Sequence, residues 1–106
     1  VYEIAKDKKR IMVCLDSNHT HDHVLKEMQL YAHLTTVGSY CIVFDTIVED
    51  LPEDYMSEKR NWNPGNNPKT AVFEYLKSNT DFEIDKNIDN KILISVAPDG
   101  YLKRVK

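Results

Sequence analysis

The chain predicts an α/β fold of order β-α-β-loop-α-β-β, with parallel strands first and an antiparallel hairpin at the end. Two short apolar runs of β-forming residues, Ile11 to Leu15 and Tyr40 to Phe44, flank one segment with helical spacing. Parallel strands need such a crossover. A second helical segment and two more β-type runs follow a long polar stretch. With 106 residues the chain is long enough for one small domain with its own core.

The elements follow in order. Val1 to Asp7 reads as the tail of a helix, with Lys6, Lys8, Lys9 and Arg10 at the end where the helix dipole favours cations. Ile11 to Leu15 reads as a strand buried on both faces. Asn18 or Thr20 can cap the next helix. Its inner face is Val24, Met28 and Tyr31, with Leu25 and Leu34 beside them, and Gly38 supplies a left-handed stop. Residues 47–67 form a stretch too long for a routine connection, so a lid or binding loop is expected there. It is acidic at first, through Glu49, Asp50, Glu53 and Asp54. Asn67-Pro68 marks a helix start, and Val72, Tyr75 and Leu76 give that helix its buried side. Phe82 to Ile84 and Lys91 to Val96 read as strands joined by a turn at Asn87 to Asn90. Pro98-Asp-Gly100 is another turn.

Composition excludes several classes. The formal net charge is -3, and the basic residues Lys103, Arg104 and Lys106 read as a solvated tail, so no nucleic-acid footprint is expected. No run approaches the ~20 apolar residues of a membrane span. Cys14 and Cys41 fall in apolar runs and read as buried free thiols, which suits a reducing cytoplasm. The opening Val1-Tyr-Glu, without methionine, reads as that of a fragment.

Asp16 and Asp45 stand where the two first strands end. If those strands pair in register they lie about 5 Å apart, so one hard cation could bridge both carboxylates. Mg²⁺ takes one or two carboxylates plus water and substrate oxygens. The plainer alternative is that both only cap the turns that follow. His19 lies in the first turn, where an imidazole can touch a ligand or accept a proton near neutral pH. His19, His21 and His23 also approach the H-x-H-x-D-H run of metal-dependent hydrolases. They are one residue short of it, and only His33 remains to complete a zinc site. Trp62 could close over a substrate ring or staple its loop to the core. Asn66 and Asn67 offer amides and a helix N-terminus to a polar ligand, although for Asn67 capping is explanation enough.

Four blocks, in order, resemble one family. They are Leu15-Asp-Ser-Asn-His-Thr-x-x-His-Val24, Val37-Gly-Ser-Tyr-x-Ile-Val-x-Asp-Thr46, Pro64-Gly-Asn-Asn-Pro-Lys-Thr-Ala-Val72 and Ile88-Asp-Asn-Lys-x-Leu-Ile-Ser-Val-Ala-Pro-Asp-Gly-Tyr-Leu102. They are similar to the cephalosporin hydroxylase and rhamnosyl O-methyltransferase family, from about Ile11 to Arg104. The resemblance implies the C-terminal half of a class I methyltransferase domain with a partial Rossmann-like sheet, spanning residues 1–106, whose last strand runs backwards into the sheet. It implies S-adenosylmethionine-dependent, Mg²⁺-assisted methyl transfer to a hydroxyl of a sugar or small molecule. Asp16 and Asp45 map onto metal ligands, with His19 as the candidate proton acceptor. In the family the second strand ends in Glu-Asp-Thr. Here it ends Phe44-Asp45-Thr46, so one ligand and one charge are lost and Mg²⁺ binding is weakened.

The family's cofactor loop is glycine-rich and belongs to the first half of the fold. None of Gly38, Gly65 and Gly100 lies in such a loop, so the residues that would bind the cofactor are not identified in this chain, and no turnover is expected from it alone. This reading expects an open sheet edge at Ile11 to Leu15, covered by the missing half or by a second copy in a homo-oligomer. Two other functions compete. One is a binding or assembly module that has lost its metal site through Phe44, and the other is a histidine-based metal-dependent hydrolase.

Overall fold

The computed structural model describes residues 1–52, 54 and 60–106. Glu53, part of the acidic stretch in the expected loop, lies outside the described residues. The elements are α1 (Tyr2–Ala5), β1 (Val13–Leu15), α2 (His21–Tyr31), β2 (Tyr40–Val43), α3 (Pro68–Ser78), β3 (Phe82–Ile84), α4 (Lys86–Ile92) and β4 (Tyr101–Arg104). Short 3₁₀ turns lie at Ala32–Leu34 and Thr46–Asp50.

The four strands form one mixed sheet in the order β1-β2-β4-β3. β1 and β2 are parallel, with Val13 opposite Cys41 and Leu15 opposite Val43. β4 is antiparallel to both β2 and β3 and lies between them. The expected reversal of the last strand is therefore present, but its residues differ from those expected. Lys91 to Val96 is not a strand, and Asn87 to Asn90 is not a turn. The Asp85 carboxylate caps α4 by accepting from the Asn87 N–H at 3.0 Å, and the helix consumes both segments up to Ile92. A β-type run becomes a strand only where a neighbour offers a ladder, and β3 takes β4 as its partner instead.

Leu93 follows at φ 67° and ψ -53°, and the Ile94 N–H donates to the Ile92 carbonyl at 2.8 Å. This is a γ-turn of positive φ, a strained form for a residue with a Cβ. The Leu93 side chain is 83% exposed and has little packing to lose. Leu93→Gly is therefore expected to raise stability by about 0.5–1 kcal/mol, read as a higher midpoint in urea. A lowered midpoint would contradict the strain.

The basic run is not a tail either. Lys103 pairs with Tyr40 and Glu83 inside the sheet. The Arg104 guanidinium donates to the carbonyls of His33 (2.8 Å) and Thr35 (2.6 Å), tying the α2–β2 connection to β4. Leu102, two residues before it, is fully buried and supplies the apolar anchor that charge counting overlooks.

Helices α2 and α3 cover one face of the sheet. The core is Leu15, Val24, Met28, Ala32, Cys41, Val43, Ala71, Val72, Tyr75, Phe82 and Leu102. The expected helix faces are present: Val24 and Met28 on α2, and Val72 and Tyr75 on α3 with Leu76 partly buried. The other face is less covered. Cys14 is exposed, not buried as expected, and Met12 is 58% exposed. The first run thus buries one face, not two. Both cysteines are free. β1 pairs only with β2 among the described residues, and a groove of about 360 Å³ lined by Ile11, Met12, Val13, Tyr31 and Leu34 runs beside it. No described helix is long and apolar enough to cross a membrane.

Asn67 starts α3 with a reciprocal cap. Its side chain accepts from the Lys69 and Thr70 N–H groups, and the Thr70 hydroxyl accepts from the Asn67 N–H. Lys69, 8% exposed, reaches Asp50 at 2.8 Å and Asp99 at 3.5 Å, and Lys86 also pairs with Asp99. Burial alone would lower the Lys69 pKa, but hydrogen bonding and charge from Asp50 and Asp99 outweigh it and raise the value. Burial would raise the Asp99 carboxyl, yet Lys86 and then Lys69 hold it below its usual range. A lowered carboxyl pKa gives stability that is complete above the unfolded value of about 4 and is lost as pH falls through the folded value. Asp99→Asn should flatten the loss of stability below about pH 4, measured by urea unfolding at several pH values. Asparagine tolerates the Asp99 backbone at φ 61°. An acid limb identical to that of the unaltered chain would rule the carboxylate out as its source.

Candidate metal centre

The parallel pairing of β1 and β2 decides where the acidic residues go. Asp16 follows β1 directly and Asp45 lies two residues beyond β2, so both leave the sheet at the same rim. The Phe44 N–H still donates to the Leu15 carbonyl at 3.1 Å, which holds the two strand ends in step. Asp45 then turns into the left-handed region, at φ 59° and ψ 24°. Aspartate visits that region more readily than most residues. The buried Thr46 hydroxyl donates to the Pro98 carbonyl at 2.5 Å and anchors this turn.

His19 reaches the same point from the β1–α2 turn. Its Nε2 lies 3.1 Å from Asp45 Oδ2. The donor atoms of Asp16, His19 and Asp45 all fall within 4.8 Å of one another. The three residues singled out in the sequence are thus brought together from two loops. The donor set fits a hard divalent cation, because two carboxylates are the usual protein share for Mg²⁺, with water and substrate oxygens completing the shell. Phe44, partly buried beside Asp45, offers no donor.

The other histidines go elsewhere. His21 Nδ1 is 2.8 Å from the Thr70 hydroxyl on α3. His23 Nε2 lies 3.1 Å from Ser17 Oγ and 3.5 Å from Glu27. The His33 ring packs 5.9 Å from that of Tyr2. The imidazoles at 19, 21 and 23 therefore do not converge, and among the described residues Asp16, His19 and Asp45 form the one metal-type cluster. The physical reason is helical: His21 and His23 lie on α2 itself and face different neighbours, whereas His19 precedes it.

Asn66 and Asn67 are occupied structurally. Asn66 Oδ1 accepts from the His21 N–H at 2.7 Å, doing at the start of α2 what the Thr20 side chain does not. The buried Asn67 amide donates to Glu49 at 2.5 Å and to the Asn63 carbonyl at 3.0 Å. Glu49 thus pins the 61–67 loop, a role that sequence spacing does not signal. Trp62 stands against the site: its ring meets that of His19 edge-on, centroids 5.2 Å apart at 80°, and the Arg60 guanidinium lies 4.6 Å from its centre. Between this loop and the Ser17–Thr20 turn is a cleft of about 320 Å³.

Known proteins share most of this chain. Residues 1–105 match the family described as Rhamnosyl O-methyltransferase/CmcI. Two curated proteins named rhamnosyl O-methyltransferase, from Mycobacterium bovis (strain BCG / Pasteur 1173P2) and Mycobacterium tuberculosis (strain ATCC 25618 / H37Rv), are each 32% identical over 96 residues, covering 90% of this chain. The matched region is 36% of those relatives' length. No solved structure matches the chain.

Proposed function

The chain belongs to the Rhamnosyl O-methyltransferase/CmcI family, and we propose that it supplies the metal and acceptor side of an S-adenosylmethionine-dependent O-methyltransferase acting on a sugar or small-molecule hydroxyl. The supporting observation is the convergence of Asp16, His19 and Asp45 at the rim of the parallel pair. On this reading the sheet is the C-terminal part of a Rossmann-like methyltransferase sheet, and the edge of β1 that has no strand neighbour among the described residues is where the domain continues or a second copy docks.

Asp16 and Asp45 would hold Mg²⁺. When bound, S-adenosylmethionine supplies an electrophilic methyl carbon and Mg²⁺ lowers the pKa of the acceptor hydroxyl. His19 does the proton chemistry. With Nε2–H donating to Asp45, its lone pair lies on Nδ1, and that atom takes the hydroxyl proton. Asp45 fixes the tautomer and stabilises the imidazolium that results. Trp62 limits rotation of the imidazole from its other side. The remaining work is alignment of the acceptor oxygen.

Calorimetric titration with Mg²⁺ and Zn²⁺ tests this reading. Mg²⁺ uptake that Asp16→Ala abolishes is the expected result. Phe44→Glu, which restores the Glu-Asp-Thr pattern of the family, is expected to tighten uptake by about tenfold or more, since it adds one oxygen ligand and one negative charge. A binding module that has lost its metal, the reading that Phe44 favours, requires no uptake by the unaltered chain. Tight zinc held by imidazoles would point to the hydrolase.

A further inference from the structure

We infer that Glu27 is a positioning residue for the metal cluster: through the Ser17 hydroxyl it fixes the turn that carries Asp16 and His19. The inference rests on the proposed Mg²⁺ site and names what aims its ligands. Asp16 is exposed, so packing does not fix its carboxylate. Backbone bonding does not fix it either. Among the described residues, no backbone–backbone hydrogen bond involves positions 16 to 19. Asn18 bonds locally: its Oδ1 accepts from the N–H and the hydroxyl of Thr20, both at 2.9 Å. The Ser17 hydroxyl makes the long-range tie. It donates to Glu27 Oε2 at 3.0 Å and lies 3.1 Å from His23 Nε2.

A serine hydroxyl has one proton to give. With that proton directed at Glu27, Ser17 accepts from His23 Nε2–H, and the two bonds together select one orientation of the side chain. Both partners belong to α2, where His23 and Glu27 are four residues apart and so lie on one face. That helix is anchored in the core through Val24 and Met28. The turn is thus tied to a rigid element, which is how ligand geometry is kept. Glu27 is otherwise badly placed. Its Oε1 is buried without a hydrogen-bond partner among the described residues, and His23 Nε2 is 3.5 Å from it. A buried carboxylate oxygen lacking a donor is destabilising, so packing alone does not account for a glutamate there. Its bond to Ser17, the residue after Asp16, does.

Calorimetric titration with Mg²⁺ tests the assignment, with the unfolding free energy from urea measured beside it to read any structural effect separately. Ser17→Ala and Glu27→Ala are each expected to lower Mg²⁺ affinity about tenfold. The double variant is expected to lose no more than either single one, because both remove the same bond. Glu27→Gln keeps an acceptor oxygen for the Ser17 hydroxyl while removing the charge, and is expected to retain the affinity. Three results would overturn the inference. One is unchanged affinity in Ser17→Ala and Glu27→Ala, whatever their stability. Another is an equal loss in Glu27→Gln and Glu27→Ala, which would mean that Glu27 acts through its charge. The third is additive losses in the double variant. The methyltransferase reading fails separately, if Mg²⁺ uptake by the unaltered chain is absent or is indifferent to Asp16→Ala, and the inference then falls with it.

Discussion

Gly100→Ala is expected to remove about 3 kcal/mol of stability or more. A Cβ built on Gly100 would lie 2.2 Å from the Val43 carbonyl oxygen, and also 3.1 Å from the Ala97 carbonyl oxygen. The nearest atom is backbone in the middle of the sheet, so no side chain can rotate out of the way. Relief requires β4 to move off β2, which breaks the Val43 N–H bond to the Gly100 carbonyl at 2.8 Å. Small domains are stable by only about 5–15 kcal/mol in total, so this is a large fraction. The damage is also directed. Val43 is two residues before Asp45, and a displaced β2 end carries that carboxylate away from Asp16 and His19. Urea unfolding followed by circular dichroism reads the loss, and a midpoint equal to that of the unaltered chain would show that β4 is not clamped there.

The second large effect is at Asp45 itself. Asp45→Asn is expected to cost at least about 100-fold in divalent-metal affinity, because it removes one of two anionic ligands and leaves a neutral amide. Asparagine is the informative choice because it tolerates the left-handed backbone at φ 59°. Alanine would add strain of about 1–2 kcal/mol and confuse folding with binding. The substitution also removes the carboxylate that faces His19 Nε2 at 3.1 Å, so the ring loses its anionic partner. Calorimetry should show the affinity loss while the unfolding free energy from urea titration stays within about 0.5 kcal/mol of that of the unaltered chain. Unchanged metal affinity would remove Asp45 from the ligand set and leave it as a turn residue.

Much of the site follows from short stretches of chain. Asp16 and Asp45 each follow an apolar run, and a parallel pair joined through one helix sends both strand ends to one rim. His19 stands apart because it precedes the helix, whereas its neighbours at 21 and 23 are turned away by the helical repeat. Other features have no such local signal. Trp62 and Glu49 act across 43 and 18 positions of sequence, on His19 and Asn67 respectively. Contacts of that separation leave no trace in spacing or composition.

The α/β class, the first crossover, the start of α3 at Asn67-Pro68 and the pair of acidic strand ends are all written in the amino-acid order. Each depends on periodicity, capping or proline geometry within a few residues. Which late segment becomes the inner strand is instead settled by long-range pairing. Lys91 to Val96 has the better β composition, yet Tyr101 to Arg104 takes the place between β2 and β3. A strand is stabilised by its hydrogen-bonded neighbours and its buried face. At Gly100 the backbone can approach Val43 closely enough to enter the sheet, and Leu102 then fills the core.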